Sequence, residues 1–416
     1  MPVRLKLVAL YGFKGSYAVL SLALGAVVAR IWGVSSFATF AVMWTVLTVG
    51  LTVGSAGANF YLVELLPKLS SQEYSRQMTR LVRLSMLATV VSGLVAAVTL
   101  HALDNYWTAA LALVPGAAHV VATGALIAEK RQLWSGFLDG VLRPAVSLAL
   151  TGAAGLVGLS PAQGLTLGLA GGYVSTAAAG AWLVRRTLRQ RHPVGSDTTV
   201  PVLKPLVIFV LMGVLTTLLR QADRFVVDAA GSAVQLASYA AAQNVANVVV
   251  YAVNSAAVLA LPAIAATLAG RGTPTEMWVS LDRVCRPLVA FAATSALVAA
   301  LLGDRILSVF GPEFLAGRWP LTVLLAGTAV SLTFGFPLSV LSMSDARTVL
   351  VWHLSGGTLA LLLGSAVAVQ HWGTTGVAVV NAACLVGVRL SMHVHCLLRG
   401  LPAYHVVPRL RASPRA

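Results

Sequence analysis

Apolar residues run along this chain in blocks of about 20, the length that crosses a bilayer as an α-helix, and polar residues fall mostly in the short separators between them. Laid along the whole sequence, this length predicts twelve transmembrane helices. They are Leu7–Ala29, Phe37–Leu62, Leu84–Leu103, Trp107–Ala128, Leu133–Val157, Gln163–Val184, Pro205–Val227, Val234–Ala260, Pro287–Leu307, Leu321–Met343, Thr348–Gln370 and Gly373–Leu397. No separator is long enough to fold as a soluble domain. The longest on the N-terminal side of the membrane, RRTLRQRHPVGSDTTVPVLK, has the Gly, Pro, Ser and charge content of a linker. It divides the chain into an N-terminal six-helix half (1–184), a cytoplasmic linker (185–204), a C-terminal six-helix half (205–398) and a basic cytoplasmic tail (399–416). The expected fold class is an all-α membrane protein, with about twelve transmembrane helices in two six-helix halves around a central cavity.

Composition strengthens this picture. Of 416 residues, 58% are hydrophobic and 10% charged, and the mean hydropathy of +0.84 lies outside the soluble globular range. Nine Trp and nine Tyr suit a protein with two membrane interfaces. The net charge of +16 does not point to nucleic acid, because the basic residues are scattered over short loops. Most of the 29 Lys and Arg fall on the side of the N-terminus, against only Arg30, Arg305 and Arg318 on the other, so the positive-inside rule places both termini in the cytoplasm. Attraction to anionic membrane lipids is a second use of that charge. Cys285, Cys384 and Cys396 have no metal-ligand spacing and read as packing residues. The N-terminus is like a secretory signal, but Lys14 interrupts its apolar run and a second apolar segment follows, so an uncleaved first helix is expected. No catalytic residues, metal or cofactor are expected.

The two halves echo each other. FATFA at Phe37–Ala41 is followed by Asn59 and Pro67, and LASYA at Leu236–Ala240 by Asn254 and Pro262, with Pro eight residues after Asn in both cases. Each stretch begins an even-numbered helix after a short outer turn, as in a repeat of one orientation. Halves rocking around a shared cavity is one physical meaning of such a repeat.

Five cations interrupt the predicted helices: Lys14, Arg143, Arg220, Arg224 and Arg389. Each costs about 2.5–3.5 kcal/mol near a helix centre, so five together call for a cause. Arg143 stands roughly 18 Å from Arg131 and Arg389 roughly 15 Å from Arg399 at 1.5 Å per residue, both near mid-membrane. Lys14 is close enough to the cytoplasmic side to snorkel, and Arg220 to the outer side. Arg220 and Arg224 are spaced i, i+4 with Asp223 beside them. They read either as a self-neutralised anchor or as a guanidinium pair that holds phosphate. Asp139 and Arg143, also i, i+4, read as an ion pair. Asn247, Tyr251 and Asn254 form a polar stripe on helix eight that serves interhelical hydrogen bonds or lines a cavity wall for sugar hydroxyls. His393 reads as a packed residue or a relay, and Glu64 as a partner of Lys68. Asp223, Asp139 and Glu64 are the candidate acids for coupling to an ion gradient. Pro115-Gly116, Pro144 and Pro337 mark expected kinks in helices four, five and ten.

Three stretches carry a resemblance: ARIWGVSSFATFAVMWTVL after helix one, RQADRFVVDAAGSAVQLASYAAAQNVANVV across helices seven and eight, and GPEFLAGRWPLTVLLAGTAVSL entering helix ten. In order and spacing they resemble the Wzx-type polysaccharide (O-antigen or exopolysaccharide) flippases of the MOP, or MATE-like, superfamily. Ser232–Gln235 reads SAVQ where that family often has an acidic or Pro-containing turn, and the short chain argues against the fourteen-helix lipid II flippase branch. The resemblance implies alternating-access transfer of an undecaprenyl-pyrophosphate-linked oligosaccharide to the outer leaflet of the cytoplasmic (inner) membrane, for surface polysaccharide biosynthesis. It marks Lys14, Arg220, Asp223 and Arg224 as cavity residues, with Arg143 and Arg389 added by depth. A polysaccharide polymerase and chain-length proteins are the implied partners, and nucleic acid is not. A small-molecule or multidrug exporter of the same superfamily is the alternative, although the basic balance inside the membrane suits an anion better. A polymerase or glycosyltransferase would need positioned acids or metal ligands on a sizeable outer loop, which the sequence lacks.

Overall fold

A computed structural model describes residues 3–57, 62, 71–102, 106–188, 203–268, 270, 272–344 and 346–406. Among these residues the backbone is helical almost throughout, without a strand. The helices are α1 (Val3–Gly54), α2 (Ser71–Ala102), α3 (Trp107–Ala128), α4 (Gln132–Leu156), α5 (Pro161–Leu188), α6 (Leu203–Gln221), α7 (Asp223–Ala230), α8 (Ala233–Leu268), α9 (Pro274–Leu307), α10 (Pro312–Leu332), α11 (Pro337–Met343) and α12 (Arg347–Leu398).

α1 and α12 each contain 52 residues, roughly 78 Å of straight helix and more than twice a bilayer core. Both are hairpins. Gly33 (φ 82°) and Gly373 (φ 57°) take backbone angles that disfavour a side chain and turn each helix back on itself. As a result Gly25 lies against Phe37, and Gly357 against Val388, contacts impossible along one straight helix. Among the described residues, nine helices are long and apolar enough to cross a membrane, ten when the α6–α7 pair, bent by 45°, is taken as one span. Counting both legs of α1 and α12 gives the twelve crossings expected from sequence.

Exposed tryptophans mark the two membrane faces. Trp107, Trp319 and Trp372 lie at one set of helix ends, and Trp134, Trp182 and Trp352 at the other, as interfacial indoles do. Exposed Arg80, Arg83, Arg131, Arg283 and Arg286 lie on the second face, so the faces are cation-poor and cation-rich respectively.

Several boundaries differ from expectation. α2 starts at Ser71 rather than Leu84, and α9 at Pro274 rather than Pro287, because hydropathy detects only the membrane core while the helices continue into the polar region. α9 is started by a capping box in which Thr273 and Glu276 satisfy each other's backbone N–H. Predicted helix two stops at Gly54, followed by Ala56 and Gly57 at positive φ. Helix ten is broken between α10 and α11, where Gly335 (φ 67°) precedes Pro337. The first part of the expected tail docks rather than trails: Val406 N–H donates to the Thr333 carbonyl at 2.7 Å and Tyr404 OH to Asp282 at 2.5 Å.

Helices of residues 3–188 pack on one another, as do those of 203–398, and α1 supplies the principal contact between the two sets by lying along α8 and α6. Tyr17 of α1 and Tyr251 of α8 meet across this seam, and the charged side chains bonded among the helices around it define the site.

Candidate functional site

In α4 the regular helix gives way to a π-turn over Leu138–Leu142, and Asp139 lies within it. Such widened turns are frequent at functional positions. Asp139 Oδ1 meets Arg143 Nη2 at 2.9 Å, and its Oδ2 meets Lys14 Nζ of α1 at 3.2 Å. His119 of α3 places Nε2 3.6 Å from the same carboxylate. Arg143 also donates to Tyr173 OH at 3.2 Å, and its guanidinium carbon lies 5.2 Å from both the Tyr17 and the Tyr173 ring, a cation–π contact on each side. Its Nε–H and His119 Nδ1 are buried with no hydrogen-bond partner. Lys14 therefore pairs inside the bundle instead of snorkelling.

The approach of α1 to α4 depends on Gly140. A Cβ there would lie 2.4 Å from the Phe13 carbonyl oxygen, which is backbone and cannot swing aside. Gly140→Ala is expected to force the helices apart, loosen the Lys14–Asp139 contact and cost about 1–3 kcal/mol of stability. Thermal unfolding in detergent measures this, and an unchanged midpoint contradicts it.

Across the seam, Arg220 near the end of α6 donates Nη2 to Asn247 Oδ1 at 3.1 Å. Arg389, on the second leg of α12, donates to the Ser331 carbonyl at 3.4 Å. Among the described residues neither guanidinium meets a carboxylate. Tyr251 OH lies 3.4 Å from Tyr17 OH, and their rings stack edge to face at 4.7 Å. Through Tyr17 and Tyr251 the Lys14–Asp139–Arg143 cluster reaches α8, which also carries Asn247, the partner of Arg220, whereas Arg389 bonds to α10; outward snorkelling of Arg220 is not seen. Asn247 and Tyr251 both bond between elements; Glu64 and the Asn254 side chain lie outside the described residues.

Arg224 is a correction. Its i, i+4 spacing from Arg220 places them on one face only if the helix is straight, and the chain bends by 45° at Ala222 between them. Arg224 is 1% exposed, donating to Gln243 (2.5 Å), Asn244 (3.3 Å) and the Ala41 carbonyl (3.3 Å). Asp223, fully buried, accepts from Tyr239 OH, from Gln243 Nε2 (2.9 Å) and from Asn381 Nδ2 (2.7 Å). Gln243 bridges the two charges. This network ties α1, α7, α8 and α12 together, so the expected Arg220–Arg224 phosphate fork does not form, and neither Arg224 nor Asp223 is open to a ligand or ion here. His393 is packed, against Phe334 and His405.

The cation-poor end of the seam is shut. Arg30, at the end of the first leg of α1, donates Nη2 to the Ser308 carbonyl at 2.7 Å and Nε to Val309 at 3.1 Å, neutralising the C-terminus of α9. Beneath it, fully buried Phe37 packs on Phe310 and Phe314 with ring centres 5.7 and 5.3 Å away. Arg30→Ala is expected to loosen this closure, seen as severalfold faster amide hydrogen exchange over residues 34–41 and 306–314; unaltered protection rules out a clasp.

Arg30, Tyr17, His119 and Tyr173 were not among the expected site residues. His119 alone left a trace, as a lone imidazole in an apolar helix.

No protein-family model matches this sequence, and no curated protein does. Solved structures do. An inward-facing multidrug resistance MATE family transporter of the MOP superfamily superposes with a TM-score of 0.66 at 11% identity, covering 94% of this chain and 98% of that one. A variant of the Vibrio cholerae MATE transporter VcmN gives 0.64 at 13% identity, with 95% and 97% coverage. The lipid II flippase MurJ, in an inward closed conformation, gives 0.64 at 11% identity, with 94% and 87% coverage. The chain accordingly has the fold that the MATE transporters share with the lipid II flippase MurJ.

Proposed function

We propose that this protein is a flippase that carries an undecaprenyl-pyrophosphate-linked oligosaccharide from the cytoplasmic to the outer leaflet by alternating access, for surface polysaccharide biosynthesis. The observation that carries the reading is the charge balance among the described residues: of Lys14, Arg143, Arg220 and Arg389, only Lys14 and Arg143 meet a carboxylate, and they share the same one, Asp139. A cationic drug would need the opposite balance. A diphosphate supplies the missing negative charge and offers oxygen pairs to guanidinium forks. Such a head group enters between the halves while its isoprenoid tail stays in lipid.

The direction follows from charge and closure. The cation-rich face is the cytoplasmic one by the positive-inside rule, in the inner membrane, and the Arg30–phenylalanine closure lies at the opposite, outer face. Loading from inside, rocking about α1 and release of Arg30 from α9 then make one transport cycle. Asn247, Tyr251 and Asn254 are the residues for the sugars, and Asp139 is the acid best situated to sense an ion. A polymerase and chain-length proteins would take the product onward. Removing the protein from cells that make such an oligosaccharide is expected to leave the lipid-linked form on the cytoplasmic leaflet and to abolish surface polysaccharide. Undiminished surface polysaccharide overturns the assignment.

A further inference from the structure

The seam holds two kinds of cation. Arg220 and Arg389 meet no carboxylate among the described residues, whereas Lys14 and Arg143 share Asp139, with one oxygen at 3.2 Å from the lysine and the other at 2.9 Å from the arginine. One group with two acceptor oxygens bridging an ammonium and a guanidinium is how a phosphate would sit between them. The arrangement is not sealed: the Lys14 and Asp139 side chains are 42% and 33% exposed, in contrast to the wholly buried Asp223 and Arg224. Arg143 also retains a buried Nε–H without an acceptor, so the carboxylate leaves part of its guanidinium unsatisfied. Finally, Asp139 lies in the π-turn, a widened turn of the kind that is frequent at functional sites.

We infer that Asp139 is an internal stand-in for the substrate's diphosphate: it occupies Lys14 and Arg143 when the carrier is empty and is displaced when a diphosphate binds. This rests on the flippase reading and deepens it by assigning the two cation groups different tasks. Arg220 and Arg389, carrying uncompensated charge, capture the incoming anion. Lys14 and Arg143 receive it once Asp139 yields, and Asp139 takes them back on release. The empty carrier is thereby spared two further unpaired cations within the membrane while it resets, and an uncharged or monocationic head group, unable to replace the carboxylate, leaves the lock in place.

The test uses the purified full-length protein in detergent, with farnesyl diphosphate and inorganic pyrophosphate as probes in titration calorimetry. Asp139→Asn removes the competitor while retaining shape, and is expected to bind farnesyl diphosphate about tenfold more tightly than the wild type, the worth of one charge-assisted contact. A purely structural Asp139 makes the opposite forecast, because its loss would leave Lys14 and Arg143 unheld and weaken binding. Unchanged or weaker binding by Asp139→Asn therefore overturns the stand-in role, while wild-type binding leaves the flippase reading intact. If neither protein binds either diphosphate, the flippase reading fails and this inference with it. Should Asp139→Asn not fold, infrared difference spectra of wild-type protein labelled with 13C-aspartate carry the test. A carboxylate band that shifts on adding farnesyl diphosphate supports displacement, and its absence overturns it.

Discussion

Replacing Arg220 and Arg389 together by Ala is expected to abolish flipping while leaving the protein at least as stable as the wild type. The two effects have opposite signs for one reason. Among the described residues neither guanidinium is paired with a carboxylate, and each makes one hydrogen bond, to Asn247 at 3.1 Å or to the Ser331 carbonyl at 3.4 Å. An unpaired arginine costs about 2.5–3.5 kcal/mol in the membrane interior, so its removal relieves strain on the fold. What is lost is the attraction for an anion. Two charge-assisted contacts of about 1.5–3 kcal/mol each correspond to a loss of diphosphate affinity of about a hundredfold or more. Thermal unfolding together with a translocation assay reads both quantities. A variant that unfolds early, or one that is stable and fully active, contradicts the assignment.

Arg224→Ala should behave in the reverse manner. Arg224 is as cationic as Arg220 and only four residues away, yet it is buried at 1% exposure and linked through Gln243 to Asp223. Removing it takes the nearby cation from the buried Asp223 and leaves the Gln243, Asn244 and Ala41 oxygens without their donor, at a cost of about 3 kcal/mol or more. The expected phenotype is poor accumulation and a lowered unfolding midpoint, with little change in the diphosphate affinity of whatever folded protein can be recovered. Combining Arg224→Met with Asp223→Asn removes both charges, and this pair is expected to be more stable than Arg224→Ala alone. If the single variant is as stable as the wild type and has lost affinity, Arg224 belongs to the binding site after all.

The contrast between these arginines shows where sequence reasoning stops. The twelve apolar blocks were readable because membrane crossing imposes a length; Gly33 sits in the short separator before Phe37, and Gly373 opens the twelfth predicted helix directly after a two-residue separator. Arg143, Arg220 and Arg389 were readable because charge in a membrane span is conspicuous. Whether an arginine faces a seam or a core depends on a 45° bend at Ala222, a residue that carries no breaking signal. His119, Tyr17 and Tyr173 join the site only through the packing of α3, α1 and α5 around α4, contacts far apart in sequence. The Arg30 clasp is equally non-local: it spans 278 residues to reach Ser308. The π-turn at Leu138–Leu142 precedes Pro144, which was expected to disturb that helix, although the form of the disturbance could not be foreseen.

The central claim, that the seam carries an anionic lipid-linked head group, is tested most directly in proteoliposomes. An isoprenyl-diphosphate oligosaccharide is inserted in one leaflet, and its arrival in the other is followed with a membrane-impermeant reagent. Translocation is expected with the wild type, is lost in the Arg220/Arg389 double variant, and is insensitive to the lipophilic cation tetraphenylphosphonium. Absence of translocation by a folded wild type that instead exports tetraphenylphosphonium would contradict the account and make the protein an exporter of cations.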